Sequence, residues 1–148
     1  MNAIERILKS RNAGITTCAM VDVPPRASGG SAVNQVVQAH GFQGLASEWI
    51  EISAADAQAI VATLLHRDLA HGAVLMPLAA ASDLATPLFD AVPEPHAYFT
   101  NGDWVMNANG GDDATLHGWN PISDATFDSG VVCIGAGRAA LFWVQDED

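Results

Sequence analysis

The hydrophobic periodicity of this chain changes once, at Pro93-Glu94-Pro95, and that change constrains the fold more than any motif does. Before it, apolar residues recur mainly at helical spacing. After it, they form short runs and alternations separated by Gly, Asn and Asp, the pattern of strands and turns. Helices concentrated in residues 1–92 and strands in the remainder predict an α+β fold rather than an alternating α/β one. The expectation is helices packed on a mostly antiparallel sheet that ends in C-terminal β-hairpins. No repeat or linker divides the 148 residues, so 1–148 reads as one domain of ordinary size. With 49% hydrophobic residues, the chain is able to bury one full core and does not read as disordered.

The spacing of Ile4, Ile7, Leu8 and Arg11 predicts a first helix over residues 2–11, ended by Gly14. Ile15 to Val23 reads as a strand stopped by Pro24-Pro25. Ser31 is expected to cap a second helix that Gly41 closes. Ser47 to Ile52 alternates as a half-buried strand should. Ser53-Ala-Ala-Asp56 is a capping box in its aspartate form, opening a third helix that is expected to run to Gly72. Ala73 to Met76 reads as a short buried strand. Residues 77–92 read as a helix with a kink or restart at Pro87, where Thr86 would serve as cap. Asn101-Gly102-Asp103 predicts a hairpin turn between 96–100 and 104–106. Residues 107–129 read as a long polar loop. Gly130–Ile134 and Ala139–Gln145 predict a second hairpin around Gly135-Ala-Gly-Arg138.

Six basic residues against seventeen acidic give a net charge of −11. Residues 1–26 hold Arg6, Lys9, Arg11 and Arg26 against Glu5 and Asp22, so the chain beyond them carries −13. Such a surface repels phosphate backbones, which argues against a nucleic-acid partner. It favours encounter with basic proteins, although acidity also serves plain solubility. No apolar stretch reaches the roughly 20 residues needed to span a bilayer, and the N-terminus does not read as a signal peptide. Cys18 and Cys133 both lie in apolar, strand-like runs, where free cysteine behaves as a small buried hydrophobe. Two reduced core cysteines are expected, and with them a cytoplasmic location.

Chemistry-bearing motifs are scarce. Gly135-Ala-Gly137 lacks the third glycine and the following helix of a dinucleotide loop, so it reads as a turn. Asn107, Asn109, Asp112, Asp113, Asp124 and Asp128 do not follow the alternating oxygen spacing of a calcium loop. His66 and His71 are five residues apart with no third ligand near, which argues against zinc. Neither a serine elbow nor a catalytic cysteine context is present. The expectation is no metal and no cofactor.

Asp68 stands out. Continued at helical spacing, it falls about 20° from Ala57, inside the apolar stripe of the third helix. A carboxylate there needs a partner, either His71 or backbone N–H groups of the following loop. One reading is a structural tie at the helix end. The other is a small enzyme or ligand-binding domain with Asp68, His71 and His117 around a pocket. Trp49 and Trp143 read as core. Trp104 and Trp119 flank the polar acidic stretch, either packing it down or forming an interface. The acidic ending Asp146-Glu-Asp148 is expected to block edge pairing or to dock a basic partner.

Ala125-Thr-Phe-Asp-Ser-Gly-Val-Val132 with Phe142-Trp-Val-Gln-Asp-Glu-Asp148 resembles the ending of small stand-alone bacterial proteins of the immunity type. That resemblance implies a cytoplasmic inhibitor that neutralises a toxin by binding it. It assigns no residue. Read from the residues, the leading expectation is an acidic module that masks a basic partner surface through Trp104, Asp112, Asp113, Trp119, Asp124 and Asp128. It requires the carboxylates to be ionised, outward-facing and gathered on one side.

Overall fold

The computed structural model describes residues 1–107 and 113–148. Among the described residues, four helices and seven strands form an α+β fold: α1 (Ala3–Ser10), β1 (Ile15–Asp22), α2 (Gly29–Gln38), β2 (Ile50–Ile52), α3 (Ala54–His66), α4 (Leu78–Ala85), β3 (Ala97–Thr100), β4 (Gly102–Met106), β5 (Ala114–Trp119), β6 (Phe127–Ile134) and β7 (Arg138–Asp146). Five strands make an antiparallel sheet in the order β1-β7-β6-β3-β2, and β4 and β5 make a separate ribbon. None of the helices is long and apolar enough to cross a membrane, among the described residues.

The sheet is buried on both faces. Side chains of α1, α3 and α4 pack on one face with Cys18, Val131, Phe142 and Val144. Val33, Val36 and Val37 of α2, joined by Phe42, Trp49 and Ile122, pack on the other with Leu141 and Trp143. This is why β6 and β7 read as continuous apolar runs, although antiparallel strands with one wet face alternate. Their hairpin lies where the sequence places it, closed by the Gly135 N–H donating to the Arg138 carbonyl at 2.9 Å.

Helix ends follow local chemistry. Asn2 Oδ1 accepts from the Glu5 N–H (2.9 Å) at α1, and Ser53 Oγ accepts from the Asp56 N–H (3.1 Å) at α3. Such caps contribute about 1 kcal/mol each. The expected Ser31 cap is corrected to Ser28, three positions earlier in the chain, with Gly29 and Gly30 in the first turn. The kink or restart at Pro87 is not seen: α4 ends at Ala85 and turns follow.

Several expectations fail for identifiable reasons. Residues 46–47 form a turn and 48–49 are irregular rather than strand, with Trp49 buried and Ile50 exposed. Asn101-Gly102-Asp103 is not a hairpin turn, because β3 pairs with β2 and β6 while β4 pairs with β5. Asn101 is buried. Its amide donates to the carbonyls of Asn120 (2.8 Å) and Asp128 (3.0 Å) and accepts from Ser129 Oγ (2.7 Å). Gly102 serves close approach instead of a turn, since a Cβ there would lie 2.6 Å from Leu116 Cδ1 and 2.7 Å from the Gly118 carbonyl. The supposed loop 107–129 contains β5 and the start of β6.

The third helix stops at His66 rather than Gly72. Arg67 is extended and bridges Val74, and the His66 carbonyl accepts from Leu75 N–H at 2.7 Å. Residues 73–76 are therefore not a buried strand, and Val74 is 66% exposed.

Candidate functional site

An open groove of about 790 Å³ lies on the α2 face of the sheet, beside its β1 edge. Ile15 and Thr17 of β1 and Gln145 of β7 lie along it; the cross-strand pairs Ile15–Gln145 and Thr17–Trp143 fix their positions. The groove exists because α2 ends at Gln38 and the chain turns away. His40 and Phe42 N–H groups both donate to the Val37 carbonyl at 3.1 Å, which sets Phe42 against Trp143 and leaves His40 and Gln43 on the rim.

Residues 122–125 form the facing wall, and a buried carboxylate holds it. Asp128 accepts from the Ile122 N–H (3.1 Å), the Ser123 N–H (3.1 Å), Ser123 Oγ (2.8 Å) and Trp143 Nε1 (3.1 Å). A carboxylate with that many donors is fully compensated for its burial. The two walls are joined where the Gln43 N–H donates to the Ile122 carbonyl at 3.0 Å. Glu147 accepts from the N–H and hydroxyl of Thr126, closing the end.

The groove is negative. Asp124 and Glu147 are exposed on its lining, neither makes an ion pair with a described residue, and neither lysine nor arginine lines it. Exposed Ile15 adds an apolar contact at 62% exposure. Chemically, the site suits an extended cationic ligand with some apolar surface.

The residues expected to form a partner surface do not converge. Asp128 is completely buried and serves the wall, so it is corrected from a contact to a structural residue. Asp113 is half-buried in an ion pair with Arg67 (3.2 Å). Asp112 lies outside the described residues. Trp104 and Trp119 line a second cleft of about 230 Å³ with Arg67, Asp68, Leu69 and Phe127. Trp104 Nε1 donates to Ser129 Oγ (3.1 Å), and the Trp119 and Phe127 rings are 5.5 Å apart, so both tryptophans pack the ribbon onto the sheet. Of the five that are described, Asp124 alone lines the large groove.

The alternative trio separates too. Asp68 is not on a helix stripe; its Oδ1 accepts from the His71 N–H at 2.6 Å, the structural tie by loop backbone. Asp68 lines the smaller cleft, whereas His71 and His117 are exposed and do not. Among the described residues, no three His, Cys, Asp or Glu side chains are placed to share a metal ion. Exposed carboxylates are also spread more widely than expected: Glu51 sits on β2 at the far sheet edge and Asp83 on α4, away from Asp124 and Glu147. Gln43, Ile15 and Thr17 escaped the sequence reading, whereas Glu147 belongs to the acidic ending already read as an edge block or a docking point. The acidic ending was a usable signal for Glu147, but Asp146 beside it is buried.

Neither a protein-family model, nor a curated protein, nor a solved structure matches this chain, so its function has to be argued from the groove and its surroundings.

Proposed function

We propose that this chain is an acidic protein-binding module of the inhibitor or immunity type, which masks a basic surface of a partner protein by receiving it in the β1-side groove. The observation that carries the reading is the uncompensated pair Asp124 and Glu147 on a groove of about 790 Å³ lined by no lysine or arginine. Asp128 fixes the wall that carries Asp124, and Thr126 donates to Glu147, so the pair is pre-organised and the entropic cost of binding is lowered. The net charge of −11 adds long-range attraction for a cationic partner, screened beyond about 8 Å at physiological salt.

The test is capture of proteins from lysate on the tagged chain, at low and at high salt, beside the double variant Asp124→Asn/Glu147→Gln. Basic proteins retained at low salt by the wild type, released at high salt and lost by the variant are the expected result. Absence of any basic protein at low salt contradicts the reading.

A further inference from the structure

The order β1-β7-β6-β3-β2 leaves two strands at the sheet edges, and they differ sharply. β2 is three residues long and centred on exposed Glu51, a short charged edge of the kind that discourages pairing. β1 runs for eight residues in unbroken register with β7, and from Ile15 to Val21 it contains no charge, proline or bulge. Its one charged residue, Asp22, stands at the end, 3.7 Å from Arg138. From Ile15 to Val21, β1 carries none of the charges, prolines or bulges that usually protect an edge.

The phase of the ladder is fixed. The Val23 N–H donates to the Gly137 carbonyl at 3.1 Å, immediately after β1. Antiparallel alternation then turns the polar backbone groups of Val21, Ala19 and Thr17 towards β7 and those of Thr16, Cys18, Met20 and Asp22 outwards. No backbone or side-chain group among the described residues bonds to that outward row from another loop or helix. Side chains alternate in the same phase between the two faces: Ile15 and Thr17 face the acidic groove, while the Cys18 side chain turns beneath α1 and is buried.

We infer that β1 takes up a sixth strand on its outer edge, supplied by an extended segment of a partner protein that carries a basic side chain at every second position. This inference rests on the binding role proposed above and specifies how the partner docks. Main-chain pairing supplies affinity in such strand additions, and alternate side chains supply selectivity. On an added strand, the side chains that share the face of Ile15 and Thr17 project over the groove, where Asp124 and Glu147 await a lysine or arginine. A second copy of this chain is a poor occupant, because each copy carries −11 and has no cationic side chain at the groove.

The test uses synthetic eight-residue peptides alternating lysine or arginine with valine or threonine. A second set carries backbone N-methyl groups on every other residue, which removes the N–H groups facing β1 but keeps the charge. The readouts are affinity and amide hydrogen exchange of the whole protein. Expected are slowed exchange at Thr16, Cys18, Met20 and Asp22 and binding at least about tenfold weaker for the methylated set. Met20→Pro, which removes an outward N–H without touching the β7 ladder, is expected to melt as a folded protein and to weaken the unmodified peptide. Equal binding of both sets with no slowing on β1 overturns strand addition and leaves the groove as a charge-reading site. No binding by either cationic set at low salt overturns both.

Discussion

Arg11 and Asp146 lie 2.7 Å apart with both side chains buried, so the residue that ends α1 is locked to the residue that ends β7. Arg11 Nε also donates to the Leu64 carbonyl (2.6 Å), its Nη1 donates to the Ala13 carbonyl (2.8 Å), and Asp146 accepts from the Leu69 N–H (2.8 Å). One pair thus joins α1, the end of α3, the loop after it and the last strand.

Removing one partner of that pair strands the other in a dry site. Arg11→Met or Asp146→Ala is expected to cost about 3–5 kcal/mol, whereas Arg11→Met with Asp146→Leu should cost much less than the sum. Urea denaturation of the two singles and the double checks the cycle.

Asp128 and Asp124 are four residues apart and play opposite parts. Asp128→Ala leaves Ile122, Ser123 and Trp143 donors unsatisfied and is expected to destabilise the fold by at least about 3 kcal/mol. Asp124→Asn, on an exposed side chain, should leave the melting temperature within a degree or two and weaken only cationic ligands. Thermal melts and peptide affinities separate the two effects.

Burial pushes the thiols of Cys18 and Cys133 up to about 12 from the ordinary 9.0, and for Cys133 a hydrogen bond with Tyr98 works in the other direction. The folded-state pKa is raised, so the stability contributed by these neutral thiols is whole below about pH 9 and lost as pH rises from there towards about 12. Denaturation at a series of alkaline pH values is expected to show that decline, reduced in Cys18→Ala. Both thiols should stay unreactive to disulfide reagents at neutral pH until the protein unfolds.

Gly14 and Gly41 both have left-handed backbones, with φ of +55° and +83°, but only Gly14 is crowded. A Cβ at Gly14 would lie 2.2 Å from the Gln145 carbonyl oxygen, while nothing lies within 4 Å of one at Gly41. Gly41→Ala is expected to cost about 1–2 kcal/mol from backbone strain alone. Gly14→Ala should cost clearly more, because β7 must move to admit the methyl. Chemical denaturation of both variants gives the comparison.

What could be read from the sequence was what local chemistry decides. The Ser53 cap, the helical spacing of Ile60, Val61, Leu64 and Leu65, and the β6–β7 hairpin around Gly135 all depend on neighbours in the chain. The helical placement of Asp68 failed because the apolar stripe of α3 continues in projection after the helix has stopped, whereas the expected tie to loop backbone is present. The role of Asp68, a carboxylate holding the turn that Gly72 completes, is turn chemistry written in the same residues. Asn101-Gly102 misled because a strong turn signal was overridden by buried groups of Asn120 and Asp128. The groove could not be read at all: it depends on β1 reaching the sheet edge through pairing with β7, more than 100 residues away in the chain. The C-terminal run 125–148, for its part, is the structural centre, holding β6, β7, Asp128, Trp143 and Asp146.

Under the proposed function, cationic ligands are read at one place on an otherwise broadly acidic surface. An amide-resolved NMR titration of the full chain with an oligolysine peptide, at low and then physiological salt, tests it most directly. Shifts concentrated at Ile15, Thr17, Gln43, Asp124, Ala125 and Glu147, and lost in Asp124→Asn/Glu147→Gln, are the predicted result. Shifts of similar size at Glu48, Glu51, Asp83 and Asp90, or centred on Trp104 and Trp119, would contradict it.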